Sequence, residues 1–99
     1  MSTTWHPQQG TTTIVAGSAT ANLVMRNSTL RQIYVNPATG TTTYNLSLTD
    51  KFSRVVYQKE SITGLHSEIP DMPVLGNMTL TIAVASADEA FDYFLALEE

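Results

Sequence analysis

Three side chains that could bind a divalent cation fall close together in the sequence. They are His66, Glu68 and Asp71, and all three lie in one segment between residues 60 and 77. An imidazole with two carboxylates is a ligand set that divalent transition-metal ions accept. The same residue types in a loop are also common as solvated side chains. The spacing allows a metal site without requiring one, and we predict no bound metal and no cofactor.

Two further groups of residues have both a binding and a structural interpretation. The carboxylates of Asp88, Glu89 and Asp92 could hold calcium, but their spacing does not match an EF-hand loop, and capping explains the first two equally well. Aromatic residues on strands could form a sugar-stacking platform or belong to the core. These aromatic residues are Tyr34, Tyr44, Tyr57 and Tyr93.

The sequence lacks the motifs that would support catalysis. It contains no cysteine, no Gly-x-Ser-x-Gly element, no P-loop and no Gly-x-Gly-x-x-Gly run. Its two histidines, His6 and His66, are far from any His-x-x-x-His spacing. We therefore predict a protein without enzymatic activity.

The composition predicts one small, hydroxyl-rich domain. Of 99 residues, 15 are Thr and 8 are Ser, whereas only 14% are charged. Five Lys and Arg residues against nine acids exclude a basic nucleic-acid-binding domain. No apolar run approaches the roughly 18 residues of a membrane span, and the N-terminus lacks the pattern of a secretory signal. We expect neither a nucleic-acid nor a membrane partner. We also expect that the protein is made and used without export.

Alternation of apolar and polar residues predicts the strands. Residues 43–49 carry an apolar side chain at every second position, and residues 79–85 repeat the pattern with Val84 expected to face inwards. Residues 86–97 fit either a helix that begins at a capping box or a strand. A strand that forms a hairpin with residues 79–85 is favoured.

Six to eight short strands at about ten-residue spacing predict an all-β fold. We expect a single antiparallel β-sandwich, jelly-roll or Ig-like, over residues 11–99. Within it, segments 33–35, 44–48 and 54–59 are predicted to form a three-stranded antiparallel meander. The turn at residues 36–40 contains Pro and Gly and is typical of a hairpin.

Two segments outside these strands are candidates for contacts with partners. Residues 1–10 are interpreted as an N-terminal arm, and residues 60–77 as one long loop that either caps the sandwich or meets another protein. The expected contact residues are the single Trp of the arm and three apolar residues of the loop. They are Trp5, Leu65, Ile69 and Met72.

The charges divide unevenly along the chain. Residues 1–59 hold all five cations and one acid, Asp50, whereas residues 60–99 hold eight acids and no Lys or Arg. Head-to-tail packing of identical subunits would bring opposite charges together, in a trimer or a larger ring. Alternatively, the sandwich topology interleaves the two halves, so that the charges neutralise each other within one subunit.

Several segments resemble small β-sandwich virion proteins of tailed bacteriophages. The similarity covers about residues 11 to 97 and lies in Leu30–Pro37, Thr41–Asp50, Ile62–Gly64 and Pro73–Gly76. The resemblance implies a structural role, symmetric oligomers, and an arm or loops that contact neighbouring subunits. It carries no catalytic residues over to this chain.

These observations together predict a non-enzymatic viral structural protein. The resemblance favours a capsid decoration or cement protein of a tailed phage, which binds and stabilises the capsid surface as a homo-oligomer, with a trimer favoured. Its expected partners are copies of itself and the major capsid or another virion protein, and its location is the virion, assembled in the host cytoplasm. The alternatives are a carbohydrate-binding or adhesion module and a head–tail or tail accessory protein.

Overall fold

A computed structural model describes residues 5–99 of the chain. Within that range all regular structure is β-strand, and no helix is long and apolar enough to cross a membrane. The nine strands follow in chain order: β1 Gln8–Thr13, β2 Ala19–Leu23, β3 Ser28–Pro37, β4 Thr43–Asp50, β5 Val55–Thr63, β6 His66–Glu68, β7 Met72–Val74, β8 Met78–Ala83 and β9 Ala90–Glu98. The predicted all-β class is confirmed.

The strands form two antiparallel sheets that pack face to face. Sheet I has the order β1-β9-β3, with β6 and β7 both pairing to the free side of β3, and sheet II has the order β2-β8-β4-β5. If β6 and β7 are counted as one interrupted strand, each sheet has four strands. The strand order is then that of a jelly roll and not of an immunoglobulin domain.

Period-two patterning produces the core between the sheets. In β4 every second residue is buried, including Tyr44, Leu46 and Leu48, while the residues between them are half-buried. The Tyr44 ring meets Phe91 from the opposite sheet edge-on, with centroids 4.9 Å apart at 82°. The sandwich is therefore held together by aliphatic and aromatic side chains that point inwards from both sheets.

The predicted meander is confirmed only for its second pair, β4 with β5, whereas its first pair and the closing hairpin are wrong. β3 lies in sheet I and β4 in sheet II, so residues 38–42 cross between the sheets instead of forming a hairpin turn. Likewise β8 and β9 lie in different sheets, although residues 90–98 are a strand as favoured. Each of these strands has a buried face, and consecutive strands satisfy this by covering each other across the core.

The segment predicted as one long loop contains regular structure. β5 continues to Thr63, and the short strands β6 and β7 pair with β3, which brings the strand count to nine. The ten-residue β3 has backbone donors and acceptors on this side, and pairing satisfies them. Each of these strands has only three residues, Pro70 separates them and Pro73 lies within β7, so they lack the length for a visible alternation and the sequence did not reveal them.

Two boundaries also differ from expectation. Gln8, Gln9 and Gly10, assigned to the arm, pair with β9 as part of β1, and residues 1–4 of the arm lie outside the described residues. Val84, expected to face inwards, is 74% exposed with a φ of 53°. Its backbone leaves the strand conformation there, so the alternation of β8 ends at Ala83.

The strands run along the long axis of the molecule, whose extents are 44 × 26 × 19 Å. A ten-residue strand spans about 30 Å, which only the longest axis accommodates. We call the end that carries loops 24–27, 51–54 and 75–77 the tip end. The opposite end, which carries loops 14–18, 38–42, 64–65 and 84–89, is the acidic end.

Candidate functional site

One side of the sandwich is an open seam between two edge strands. Within residues 5–99, β5 pairs only with β4, and β6 and β7 pair only with β3. Side chains of β5 face those of β6 and β7 across this gap, which we call the seam. Its two halves differ in chemistry, because polar groups join β5 to β6 whereas apolar groups line the space between β5 and β7.

A hydrogen-bonded cluster closes the polar half of the seam. The Tyr57 hydroxyl donates to Glu68 Oε2 at 3.1 Å and lies 2.7 Å from His66 Nε2. A phenol has one proton, so the hydroxyl accepts from Nε2–H while it donates to the carboxylate. Lys59 Nζ lies 3.3 Å from the other Glu68 oxygen. Two strands from different sheets are thereby linked through side chains alone.

The pKa shifts in this cluster favour neutral rings. Burial lowers the pKa of His66, and Lys59 lowers it further, against the opposing effect of Glu68. Burial also raises the pKa of Tyr57, with Glu68 acting in the same direction. Near neutral pH the imidazole is therefore uncharged and the phenol protonated, a state suited to hydrogen bonding across the seam.

Lys59 protects the polar half of β5 from pairing with another chain. It stands opposite the buried Leu46 in the ladder, on the core-facing side of an edge strand. The β4–β5 ladder also has two register shifts, and Ser61 has a φ of 55°. Inward charges and bulges are the devices that keep edge strands from aggregating.

The apolar half of the seam is an open groove of about 430 Å³ between β5 and β7. Asp50 and Arg54 stand at its rim. Hydrophobic side chains such as Val55 and Leu75 are exposed to water here, and burying them against another apolar surface would be favourable. We call this feature the apolar groove, and its apolar lining consists of Val55, Val56, Met72, Pro73, Leu75 and Met78.

A rigid hairpin tip adjoins the apolar groove. The buried Asp50 carboxylate accepts from the backbone N–H of Phe52 at 2.9 Å and of Arg54 at 3.0 Å, and from the Arg54 guanidinium at 2.9 Å. The hydrogen bond from the Arg54 backbone is the largest cause that lowers the pKa of Asp50. Phe52 is 64% exposed, with Lys51 Nζ and Arg54 Cζ each 5.4 Å from its ring centroid. The tip thus presents an aromatic ring between two cations.

The three residues considered as a metal site are not brought together. His66 and Glu68 lie 3.5 Å apart, but Asp71 forms an ion pair with Arg31 at 3.0 Å. Among the residues described, no three His, Cys, Asp or Glu side chains are placed to share a metal ion. His66 and Glu68 instead link β6 to β5 through their contacts with Tyr57 and Lys59 in the polar half of the seam.

The carboxylates of the second acidic cluster bind two separate loops and a neighbouring strand. Asp88 accepts from the backbone N–H of Ala16 and of Gly17, both at 3.0 Å, as a loop cap. Glu89 accepts from the backbone of Thr39 at 3.1 Å, and Asp92 accepts from the Thr11 hydroxyl at 2.7 Å. Capping therefore accounts for Asp88 and Glu89, although each caps a loop and not a helix.

The four tyrosines do not form one platform. Tyr44 is fully buried and Tyr57 belongs to the seam, while Tyr34 and Tyr93 border a shallow depression of about 480 Å³ on sheet I. Gly10 leaves room for Tyr93, since a Cβ there would lie 2.7 Å from the Tyr93 hydroxyl. The depression also contains Phe94, which pairs directly with Tyr34 across the ladder.

The four expected contact residues lie in separate places. Trp5 is exposed beside Glu98, Leu65 is exposed at the acidic end, and Ile69 is exposed between β6 and β7. Only Met72 lines the apolar groove. Sequence reasoning did not single out Phe52 or Val55 as contact residues, because Val55 fell within the predicted strand 54–59 and Phe52 lies in the turn before it. A large aromatic residue within that turn is the signal that could have indicated an exposed contact.

The two charged halves of the sequence interleave in the fold. Arg31 contacts Asp71 at 3.0 Å and Glu98 at 2.9 Å, and Lys59 contacts Glu68. Arg26 lies 3.9 Å from Glu99. Three of the five cations therefore meet acids of the opposite half within one chain.

A scan against protein-family models and a search of curated proteins found no match for this chain.

Proposed function

We propose that this chain is a non-enzymatic structural protein of a virion, which works by binding other proteins. The favoured form is a capsid decoration protein of a tailed phage that acts as a homo-oligomer. The observation that carries the proposal is the apolar groove, an open and mostly hydrophobic cavity of about 430 Å³ at the seam between the two sheets. Jelly-roll sandwiches are frequent in viral capsids, which agrees with the proposal without deciding it.

The occupant that suits the apolar groove is an extended segment of a neighbouring capsid protein. Apolar side chains of the segment would fill the space between Val55 and Leu75, where the exposed edge of β5 lacks the inward charge found at Lys59. The adjacent hairpin tip carries Lys51 and Arg54, which favour a segment with an acidic residue at that end. Edge strands are regular acceptors of extended peptides.

Leu75 and Leu65 provide a matched test of the apolar groove. Both leucines are 53% exposed, one in the groove and the other at the acidic end. The probe is a particle assembled from a major capsid protein encoded in the same genome, and co-sedimentation measures binding. We expect Leu75→Asp to weaken binding at least tenfold and Leu65→Asp to leave it unchanged, with both variants folded by circular dichroism. Equal effects of the two substitutions would contradict the groove as the contact.

The virion assignment has its own test in the genome. Capsid, portal or tail genes on either side of this gene would support the proposal. A neighbourhood of unrelated metabolic genes would contradict the virion role, whatever the binding result.

The depression on sheet I supports a second candidate function, carbohydrate binding. Tyr34 and Phe94 stand side by side there, with the polar side chains of Gln9, Thr11 and Asp92 around them. Aromatic faces ringed by amide, hydroxyl and carboxylate groups suit the apolar faces and hydroxyls of a sugar. A glycan array tests this candidate: binding that is lost in Tyr34→Ala supports it, and an array without any bound glycan contradicts it.

A further inference from the structure

The methionines of this chain differ sharply in their access to solvent. Met1 lies outside the described residues, and the other three are Met25, Met72 and Met78. Met25 and Met78 are only 7% and 4% exposed, whereas Met72 is half-buried and lines the apolar groove. An oxidant must reach the thioether sulfur before it can react with it, so burial protects two of these three side chains.

The place of Met72 in the fold explains its access. It lies on β7, opposite Leu30 of β3, and within residues 5–99 no strand pairs with the other side of β7. Its side chain packs against the core and also borders the groove. Met78 instead lies on β8, between β2 and β4, and is covered by the sandwich. A groove of about 430 Å³ readily admits hydrogen peroxide, because even a water molecule, which is only slightly smaller, occupies about 30 Å³ in the liquid.

The β7 wall of the apolar groove offers apolar side chains to an incoming segment. Pro73 is the central residue of β7 and has no backbone N–H to donate. Contact on this wall therefore depends on Met72, Pro73 and Leu75. The flexible, polarisable thioether of a methionine adapts well to the shape of an apolar partner. A polar atom on this side chain would remove that advantage.

We propose that Met72 is a site of oxidative modification, and that its oxidation weakens binding in the apolar groove. The sulfur lone pair attacks one oxygen of hydrogen peroxide, a sulfur–oxygen bond forms, the oxygen–oxygen bond breaks, and water leaves after proton transfer. The thioether is oxidised to the sulfoxide by two electrons, and the peroxide is reduced by the same two.

The sulfoxide changes what the groove can bind. It is a polar hydrogen-bond acceptor, so an apolar segment that covers it must strip it of water without replacing the hydrogen bonds. Sulfoxide reductases restore the thioether, which makes the change reversible. The effect on binding rests on the proposed function, and it adds regulation by a peroxide to the same site.

Oxidation rates test the modification site without any partner. Dilute hydrogen peroxide is added to the folded chain, and mass spectrometry of its peptides follows each methionine. We expect Met72 to be oxidised roughly tenfold faster than Met25 and Met78, because only Met72 borders the groove from an edge strand. In urea the three rates become similar, which controls for intrinsic reactivity. Equal rates for Met72 and Met78 in the folded chain would overturn the assignment.

Met72→Leu tests the effect on binding. The substitution removes the sulfur with little change in side-chain volume, so we expect a folded chain that binds the capsid particle as the unmodified chain does. Each chain is treated with peroxide, and catalase removes the excess before the particle is added. We expect peroxide to weaken binding of the unmodified chain roughly tenfold and to leave Met72→Leu unchanged. Methionine sulfoxide reductase then restores binding of the unmodified chain.

The outcomes separate this proposal from the proposed function. Met1, Met25 and Met78 are present in both chains, so an equal loss of binding by Met72→Leu would overturn the role of Met72. Unchanged binding of the oxidised chain would overturn it as well, and so would unfolding of that chain in circular dichroism. If the untreated chain does not bind the particle, the proposed function is contradicted, while the oxidation rates still decide whether Met72 is the modified residue.

Discussion

Tyr57 and His66 lie on edge strands of opposite sheets, and the Tyr57 hydroxyl is 2.7 Å from His66 Nε2. Ladder hydrogen bonds stop at the edge of each sheet, so this side-chain contact replaces them where the sandwich would otherwise be open. Glu68 and Lys59 complete the contact, and the groove begins where the cluster ends. The stability of the polar half of the seam consequently depends on a few identifiable groups.

The first prediction concerns pH. The pKa of His66 is lower in the folded chain than its ordinary value near 6.5, because burial disfavours the imidazolium. Stability from this group is therefore fully present above pH 6.5 and falls as the pH is lowered towards its folded value. We expect His66→Gln to remove part of the loss of stability between pH 6.5 and 5, measured by urea unfolding at each pH. An unchanged pH profile would contradict this role.

The second prediction concerns the phenol of the seam. Tyr57→Phe removes the hydroxyl that bonds both His66 and Glu68, and we expect the free energy of unfolding to fall by about 1 kcal/mol. Tyr34→Phe is the matched control, because no hydrogen bond of the Tyr34 hydroxyl is found within residues 5–99. Urea unfolding at pH 7 compares the two variants. A smaller loss for Tyr57 than for Tyr34 would show that the cluster contributes nothing.

The third prediction concerns the turn at Gly64. Its φ is +72°, and an added Cβ would lie 2.8 Å from the carbonyl oxygen of Gly40. The Tyr44 hydroxyl also donates to the Gly64 carbonyl at 2.8 Å, so the turn has little freedom to move. We expect Gly64→Ala to destabilise the chain by about 1–3 kcal/mol in thermal unfolding. Gly40→Ala meets no atom within 4 Å and serves as the control, with little expected effect.

The fourth prediction concerns the hairpin tip. Asp50 holds the tip through two backbone N–H groups and the Arg54 guanidinium, and these partners lower its pKa below the ordinary carboxyl value. Its contribution to stability is present above the ordinary pKa near 3.9 and is lost as the pH falls through the lowered value. We expect Asp50→Asn to lower Tm at pH 7 and to flatten the fall of Tm on acidification below about pH 4. A variant whose Tm follows the same pH curve as the unmodified chain would exclude this anchoring role.

The positions of some strands could be predicted from the local sequence pattern. The alternation in residues 43–49 and 79–83 predicted β4 and β8, because a half-buried strand needs apolar side chains at every second position. The ambiguous segment 86–97 was resolved as a strand only by its partners, since β9 lies between β1 and β3. There the ladder on both sides outweighs the helical spacing and the capping-box residues, and Asp88 and Glu89 cap loops instead.

Only part of the candidate site could be predicted from the sequence. Met72 was expected as a contact residue and lines the apolar groove, whereas Val55 and Leu75 join it from segments 20 residues apart. Lys59 and Glu68 were counted in opposite charged halves, and nothing local indicates that they meet across a seam. Proximity of this kind arises from sheet order, which residue spacing does not report.

The sequence by itself determined the all-β class, the single domain and the core-facing residues of β4 and β8. These properties follow from side-chain period and composition, which act within a few neighbouring residues. Only the tertiary structure decided which strands pair, that β3 and β4 separate into two sheets, and that a polar cluster and an apolar groove share one seam. Pairing depends on contacts between residues distant in the chain, and many strand orders bury the same apolar faces, so the packing of the whole chain selects one of them.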